Sequence, residues 1–305
     1  MKSMILDQQC LKRRRHWVNE LKKISGDFGQ DAARVDREIK REIAGEGLKP
    51  ILDHLRLCGS IPERYGHDSS EEKLYSKYTD VVIAETFAFC GLNSIVLTER
   101  ADAADVEVAA AEYSFVADGK AFRLSRTAKN QKDFKVQAMQ GWRRGKPHAM
   151  VVCPLYQLPS RTSQIYQQAI ATGVTIISYS HLAVIAGYAA VRTKRHAEEL
   201  LLKVFRLTEG LNPDKGAVAY WQALNRSVLD EHGTIGELWA KEKAAMLESI
   251  AASKEEALVF LAEERARIMK LSRSEAIEAL IGARKLTEKE AVIGSISDNG
   301  LFAIS

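Results

Sequence analysis

The sequence predicts an α/β protein: a mixed β-sheet core flanked by helices, with further helical regions before and after it. Three observations predict this. The strand-like runs from Val106 to Ala111 and from Tyr113 to Asp118 lie close enough for an antiparallel hairpin. Short apolar or β-branched runs at 149–153 and 174–179 then alternate with helical stretches at 162–171 and 181–191, the order expected of parallel additions to a sheet covered on both faces. Beyond residue 192 only helical patterns recur. The expected organisation is a helical region over 1–60, a core over 61–191 and a helical region over 192–305.

Residues 1–60 read as helical, and Ile39, Ile43, Leu48, Ile51 and Leu55 recur at helical spacing between Arg34 and Leu57. The cluster Lys12-Arg13-Arg14-Arg15-His16 suits a solvated helix face better than a nucleic-acid backbone. After a turn-rich stretch at 61–68, Ser69 and Glu72 have capping-box spacing. They open a helix that runs to about Cys90 and stops at Gly91. Leu74, Tyr78, Val81, Val82, Phe87 and Phe89 give it an apolar side, and Glu85 could reach an active site from it but better suits a surface glutamate. Ser94 to Leu97 is the first strand, and the hairpin follows. After a loop at 121–127, a helix is expected from about Ala128 to Trp142, closed by Gly145 and Pro147. The C-terminal region reads as helices at 198–207, 217–229, 235 to about 267, and 274–283. Pro213, Gly233 and a second capping box, Ser272 to Glu275, punctuate it. Trp221 and Trp239 are expected to pack between these helices.

At 305 residues, 46% hydrophobic and 28% charged, the chain has the composition of an ordered globular protein with a substantial core. Cys10, Cys58, Cys90 and Cys153 are scattered without a CxxC pair, which fits a reducing cytoplasm and excludes a zinc ribbon. The seven histidines have no metal-ligand spacing. No apolar run reaches membrane-spanning length, so no membrane association is expected.

The chemistry concentrates between 105 and 146. Asp105 opens one strand-like run, and the next ends in Asp118-Gly119-Lys120. Side chains two apart on a strand share a face, so Asp118 and Lys120 project together with Cα atoms about 7 Å apart. Two carboxylates and a lysine at a strand end can hold a divalent cation and a water, the parts needed to hydrolyse a phosphodiester. The tripeptide alone is more often a solvated strand end, but the next segment changes its weight. Residues 120–146 hold nine Lys or Arg and one acid, a charge of +8 in a chain whose total is +4. Positive charge beside an acidic metal site is what a polyanionic substrate requires. A solvated helix face would account for Lys129, Lys132 and Lys135, but not for their position next to Asp118 and Lys120. Arg123 and Arg126 suit guanine or phosphate, Thr127 or Ala128 a thymine methyl, and Asn130 a bidentate contact to adenine; an Asn near a helix start also serves as a cap.

The stretch from Val116 to Val136, VADGKAFRLSRTAKNQKDFKV, closely resembles the catalytic and recognition segment of the HindIII family of type II restriction endonucleases. Weaker likeness continues through Glu72–Lys77, Leu92–Ser94, Thr162–Ile165, His181–Ala183 and Glu275–Leu280. The resemblance implies a PD-(D/E)XK nuclease, homodimeric and Mg²⁺-dependent, that cuts double-stranded DNA at the palindrome 5′-AAGCTT-3′ between the adenines. By the same resemblance Asp105 and Asp118 match the metal-binding carboxylates, Lys120 the catalytic lysine, and Ala128 and Asn130 the base-contacting segment. Gly119 would add its carbonyl to the metal. Two departures stand out: Ala104 precedes Asp105 where the motif has Pro, and Thr98 takes the place of a family glutamate. Glu99 is adjacent, but neighbours on a strand face opposite sides. A repair or junction-resolving nuclease of the same fold, or a DNA-binding regulator that does not cut, are the alternatives. The C-terminal helices would wrap DNA, build a dimer or pack on the core.

Overall fold

One mixed sheet of five strands organises the computed structural model, which describes residues 4–97, 103–126, 131–159, 163–212 and 216–295. The strands are β1 (Asn93–Val96), β2 (Val106–Ala109), β3 (Ser114–Gly119), β4 (His148–Cys153) and β5 (Val174–Ser178), in that spatial order. β1, β2 and β3 pair antiparallel; β3, β4 and β5 pair parallel. All residues of β4 and of the edge strand β5 are buried, as expected of parallel strands covered on both faces that read as continuous apolar runs.

The N-terminal helices are α1 (Gln8–Glu20), α2 (Phe28–Glu46) and α3 (Leu48–Leu57). The helical spacing read between Arg34 and Leu57 is divided between two helices at Gly47, whose φ of 71° ends α2 and restarts the chain as α3. In the basic cluster on α1, Lys12, Arg15 and His16 are exposed as expected of a solvated face, but Arg13 and Arg14 are buried. Arg13 pairs with Glu42, Glu46 and Asp53, while Arg14 is buried against Glu256 and the Tyr75 ring. Long guanidinium side chains inside a protein need such carboxylate and carbonyl partners, and Arg14 also donates to the carbonyls of Leu57 and Ser60.

α4 (Ser70–Phe89) opens on its Ser69 cap as the sequence indicates, the Ser69 hydroxyl accepting from the Glu72 amide. It packs on the first three strands, with Phe87 against Phe115 and Ile83 over Gly119, while Tyr75 and Tyr78 turn toward α1 and α3, meeting Arg14 and the Trp17 and His54 rings. Between β3 and β4 the structure corrects the sequence reading. In place of one helix over 128–142 there is a 3₁₀ turn at Gln131–Phe134, a left-handed residue at Lys135 (φ 51°), and only then α5 (Val136–Trp142). Phe134 is buried edge-on to Phe122, and the ammonium of Lys135 lies 5.1 Å from the Trp142 ring centre. That packing reverses the chain where periodicity alone would carry a helix through. α6 (Gln164–Thr172) crosses over to β5, and α7 (Tyr179–Val191) follows it through a capping box at Ser178.

α8 (Lys194–Glu209), α9 (Ala217–Leu229) and α10 (Gly233–Ile268) follow. Trp221 and Trp239 both pack on the His181 ring of α7, as expected of tryptophans between helices. Residues 1–257 form one compact unit, to which the first part of α10 is tied by Glu242 to Arg56 and Glu248 to the amides of Ile5 and Leu6. Residues 258–305 form a second unit. It contains α11 (Arg273–Ala283), with its capping box at Ser272, and α12 (Leu286–Gly294), neither of which buries a side chain. No helix among the described residues is long and apolar enough to cross a membrane.

Candidate active site

The end of β3 gathers the acidic residues. Val106 pairs with Ala117, so one step further along the antiparallel register Asp105 stands across from Asp118. Alternation along β3 sends Phe115, Ala117 and Gly119 toward α4, where Phe115 meets Phe87 edge-on at 5.0 Å. Val116 and Asp118 therefore face the other side. A cavity of about 440 Å³ lies on that side, lined by Ala104, Glu107, Val116, Trp142, Arg144 and Lys146 among others. Lys120 continues past the strand. Its amide donates to the Val152 carbonyl at 2.8 Å, and the Tyr179 hydroxyl donates to the Lys120 carbonyl at 3.1 Å. The backbone that presents Asp118 and Lys120 is thus held from β4 and from α7.

Asp118 is buried at 1% exposure, and the Lys120 ammonium lies against its Oδ2. That oxygen has this ion-pair contact but no well-directed hydrogen bond. Burial pushes the Asp118 carboxyl up, but the Lys120 ammonium and a hydrogen bond from Asp105 outweigh it and leave it below the usual carboxylate range. Asp105 goes the other way: burial and the repulsion of Asp80 and Asp118 push it up to about 9. Asp80, on α4, is pushed up to about 7 by burial, partly offset by Lys77. Burial lowers Lys120, but Asp118 and Asp105 more than compensate and hold its ammonium above the usual lysine value.

Of the residues picked out in the sequence, Asp105, Asp118 and Lys120 come together. Gly119 lies between them, and its lack of a side chain has a packing cause: a Cβ there would stand 2.7 Å from Ile83 Cδ1 and 3.5 Å from Asp80 Oδ1. Gly119→Ala is therefore expected to cost about 1–3 kcal/mol through overpacking, read as a shift in the urea-unfolding midpoint; an unshifted midpoint would mean that Ile83 gives way freely. Arg123, picked out as a DNA contact, is instead turned inward. Its guanidinium donates to the carbonyls of Glu63, Tyr65 and Gly66 and to Glu72, clamping the turn before α4. Arg126 remains half exposed, paired with Asp133 at 2.6 Å and stacked on Phe122. Glu99, Thr127, Ala128, Lys129 and Asn130 lie outside the described residues, as does the side chain of Lys132.

Two residues that sequence reasoning passed over belong to this neighbourhood. Lys77 Nζ lies 3.3 Å from Asp80 Oδ2 and 3.7 Å from Asp105 Oδ1, and reaches the Leu97 carbonyl at 3.5 Å. The available signal was a Lys and an Asp three apart, hence on one helix face, with the Asp running straight into the apolar Val81-Val82-Ile83. Glu85, the acid of α4 that was weighed, is only half buried, and its neighbours are Lys40 and Asp36 of α2.

The HindIII restriction endonuclease family model matches residues 15–297. The type II restriction enzyme HindIII of Haemophilus influenzae (strain ATCC 51907 / DSM 11121 / KW20 / Rd) is 32% identical over 252 residues, covering 80% of this chain and 83% of that enzyme. The chain belongs to the HindIII restriction endonuclease family. It is thus a member of a family of type II restriction endonucleases, and enzymes of this kind are typically metal-dependent. The residues at the end of β3 fit a divalent cation: two facing carboxylates, one with a buried oxygen lacking a directed hydrogen bond, supply hard oxygen donors. Asp80 does not converge with them. Among the described residues, the group of three ligating side chains whose donor atoms lie within 4.8 Å of one another is His67, Asp68 and Glu72. Both Glu72 oxygens there are already engaged, by Arg123 and the Asp68 amide.

Proposed function

We propose that this chain is a Mg²⁺-dependent endonuclease that acts as a homodimer on palindromic double-stranded DNA, cutting 5′-AAGCTT-3′ between the adenines. The observation that carries the chemistry is the convergence of Asp105, Asp118 and Lys120 at the end of β3. Family membership supports the substrate, and the near-continuous likeness of residues 116–136 to the recognition segment supports the sequence cut. A two-fold symmetric protein matches a palindromic site, which supports the dimer.

Asp105 and Asp118 would hold the metal, with the Gly119 carbonyl as a further donor. When bound, the ion supplies polarisation of the scissile phosphate and acidification of a water. Lys120, kept charged by its two carboxylate neighbours, orients that water and balances charge building on the phosphate oxygens. The water oxygen attacks phosphorus in line, the bond to the 3′ oxygen breaks, and the products are a 5′-phosphate and a 3′-hydroxyl. Thr127, Ala128, Lys129, Asn130 and Lys132, in the segment that resembles the family's recognition region, would read or hold the DNA, and Arg126 would add a phosphate contact. Arg123 keeps a supporting role by holding the turn at 63–66.

Digesting a DNA of known sequence with Mg²⁺ tests the reading. Discrete fragments whose sequenced ends fall at A/AGCTT are expected, with none in EDTA. Discrete fragments ending elsewhere would replace the site while keeping the enzyme class. A smear or structure-selective nicking would point to a repair nuclease, and a salt-sensitive gel shift without nicks would point to a regulator.

A further inference from the structure

We infer that Lys77 and Asp80 form a second lysine–carboxylate pair of the active site and act as positioning residues for Asp105. The inference rests on the reading of Asp105 and Asp118 as the carboxylates that hold the metal. Asp80 is 2% exposed and lies on the α4 side of β3, directly over Gly119, whereas Asp118 faces the opposite side. Asp80 therefore approaches the centre from behind the strand and is not placed to share a cation with the facing pair. Lys77 makes the connection. One turn before Asp80 on α4, it passes the end of β1, where it meets the Leu97 carbonyl. Its ammonium sits between Asp80 Oδ2 and Asp105 Oδ1.

Asp105 needs such a hold. It lies just before β2, and its carbonyl accepts from the Leu97 amide at 2.8 Å. Its carboxylate is half buried, and Lys77 grips the oxygen Oδ1. A buried ion pair gains little stability over apolar residues of the same size. Keeping Asp80 and Lys77 beside the apolar run 81–83 is therefore better explained by work done on Asp105 than by stability. The Lys120 ammonium thus lies against Asp118, and the Lys77 ammonium lies between Asp80 and Asp105.

The opposing signs of two readouts test this. In the full-length protein without DNA, Mn²⁺ binding is followed by the electron spin resonance of the free ion; cleavage is followed in single turnover at saturating Mn²⁺. Lys77→Met removes a cation that competes for Asp105, so Mn²⁺ should bind about threefold or more tightly. Cleavage should nonetheless slow by about tenfold or more, because the carboxylate is no longer held in place. Lys77→Arg should return both toward wild type. Asp80→Asn leaves Lys77 to Asp105 alone and should weaken Mn²⁺ binding. General structural damage cannot tighten metal binding while slowing cleavage, and melting temperatures in EDTA register any such damage directly. Wild-type behaviour of Lys77→Met in both readouts, or a loss that Lys77→Arg does not recover, would overturn the assignment of Lys77. A wild-type protein that neither binds Mn²⁺ nor cuts DNA would instead overturn the reading of the site itself.

Discussion

Replacing Asp118 with Asn is expected to lower DNA cleavage on the order of 10³-fold, since loss of a metal-holding carboxylate removes several kcal/mol of stabilisation at the transition state. Gel-shift affinity for the intact site in Ca²⁺ or without metal should change far less, because the proposed charge contacts to the DNA backbone would come from the basic segment that follows Lys120. Asn matches the shape of Asp118 but cannot pair with the Lys120 ammonium, which lies against Oδ2. With Asp118 neutral, Asp105 loses a repulsion that keeps it protonated and can ionise beside that ammonium in its place. The variant should therefore fold, which a thermal melt will register. Cleavage at the wild-type rate by folded Asp118→Asn would remove Asp118 from the chemistry and with it the proposed site.

The second large effect is on stability as a function of pH. Asp105 and Asp80 have folded-state pKa values of about 9 and about 7, against an ordinary aspartate value near 4. Between about pH 4 and pH 9 the native state thus holds protons that the unfolded chain has already released. Linkage then makes the metal-free protein lose stability as pH rises through that window. Asp118 acts in the opposite sense. Its depressed pKa contributes stability above the unfolded value that is lost as pH falls through the folded one. A cation held by Asp105 and Asp118, as proposed, would take the place of the proton that raises Asp105. The melting temperature in EDTA should therefore fall from pH 5 to pH 9, and the rise produced by Mg²⁺ or Mn²⁺ should grow over the same range. A metal-induced rise that is the same at both ends would show that the cation does not displace protons from these carboxylates.

How much of this was legible in the residues differs from element to element. Helix α4 was visible from its Ser69 cap, and β4 and β5 from their unbroken apolar runs, because caps and burial patterns are written over a few neighbouring residues. The helix expected over 128–142 was not what formed. Phe134 finds Phe122 and Lys135 finds Trp142, and neither partner is a helical neighbour. Arg123 read as a free cation, but its four acceptors lie about sixty residues earlier in the chain, in and after the turn it clamps. Arg13 and Arg14 were misjudged for the same reason. Their carboxylates come from α2, α3 and the distant α10.

By itself the sequence determined the mixed sheet between helical regions and the pairing of Asp118 with Lys120. Both depend on the two-residue and 3.6-residue periods that adjacent residues carry. Only the tertiary structure decided that Asp105 faces Asp118, that Gly119 is glycine to admit Ile83, and that α4 delivers Lys77 and Asp80 to the same place. Those contacts join residues 13 to 39 positions apart, and they are chosen by strand register and by how a helix settles on a sheet.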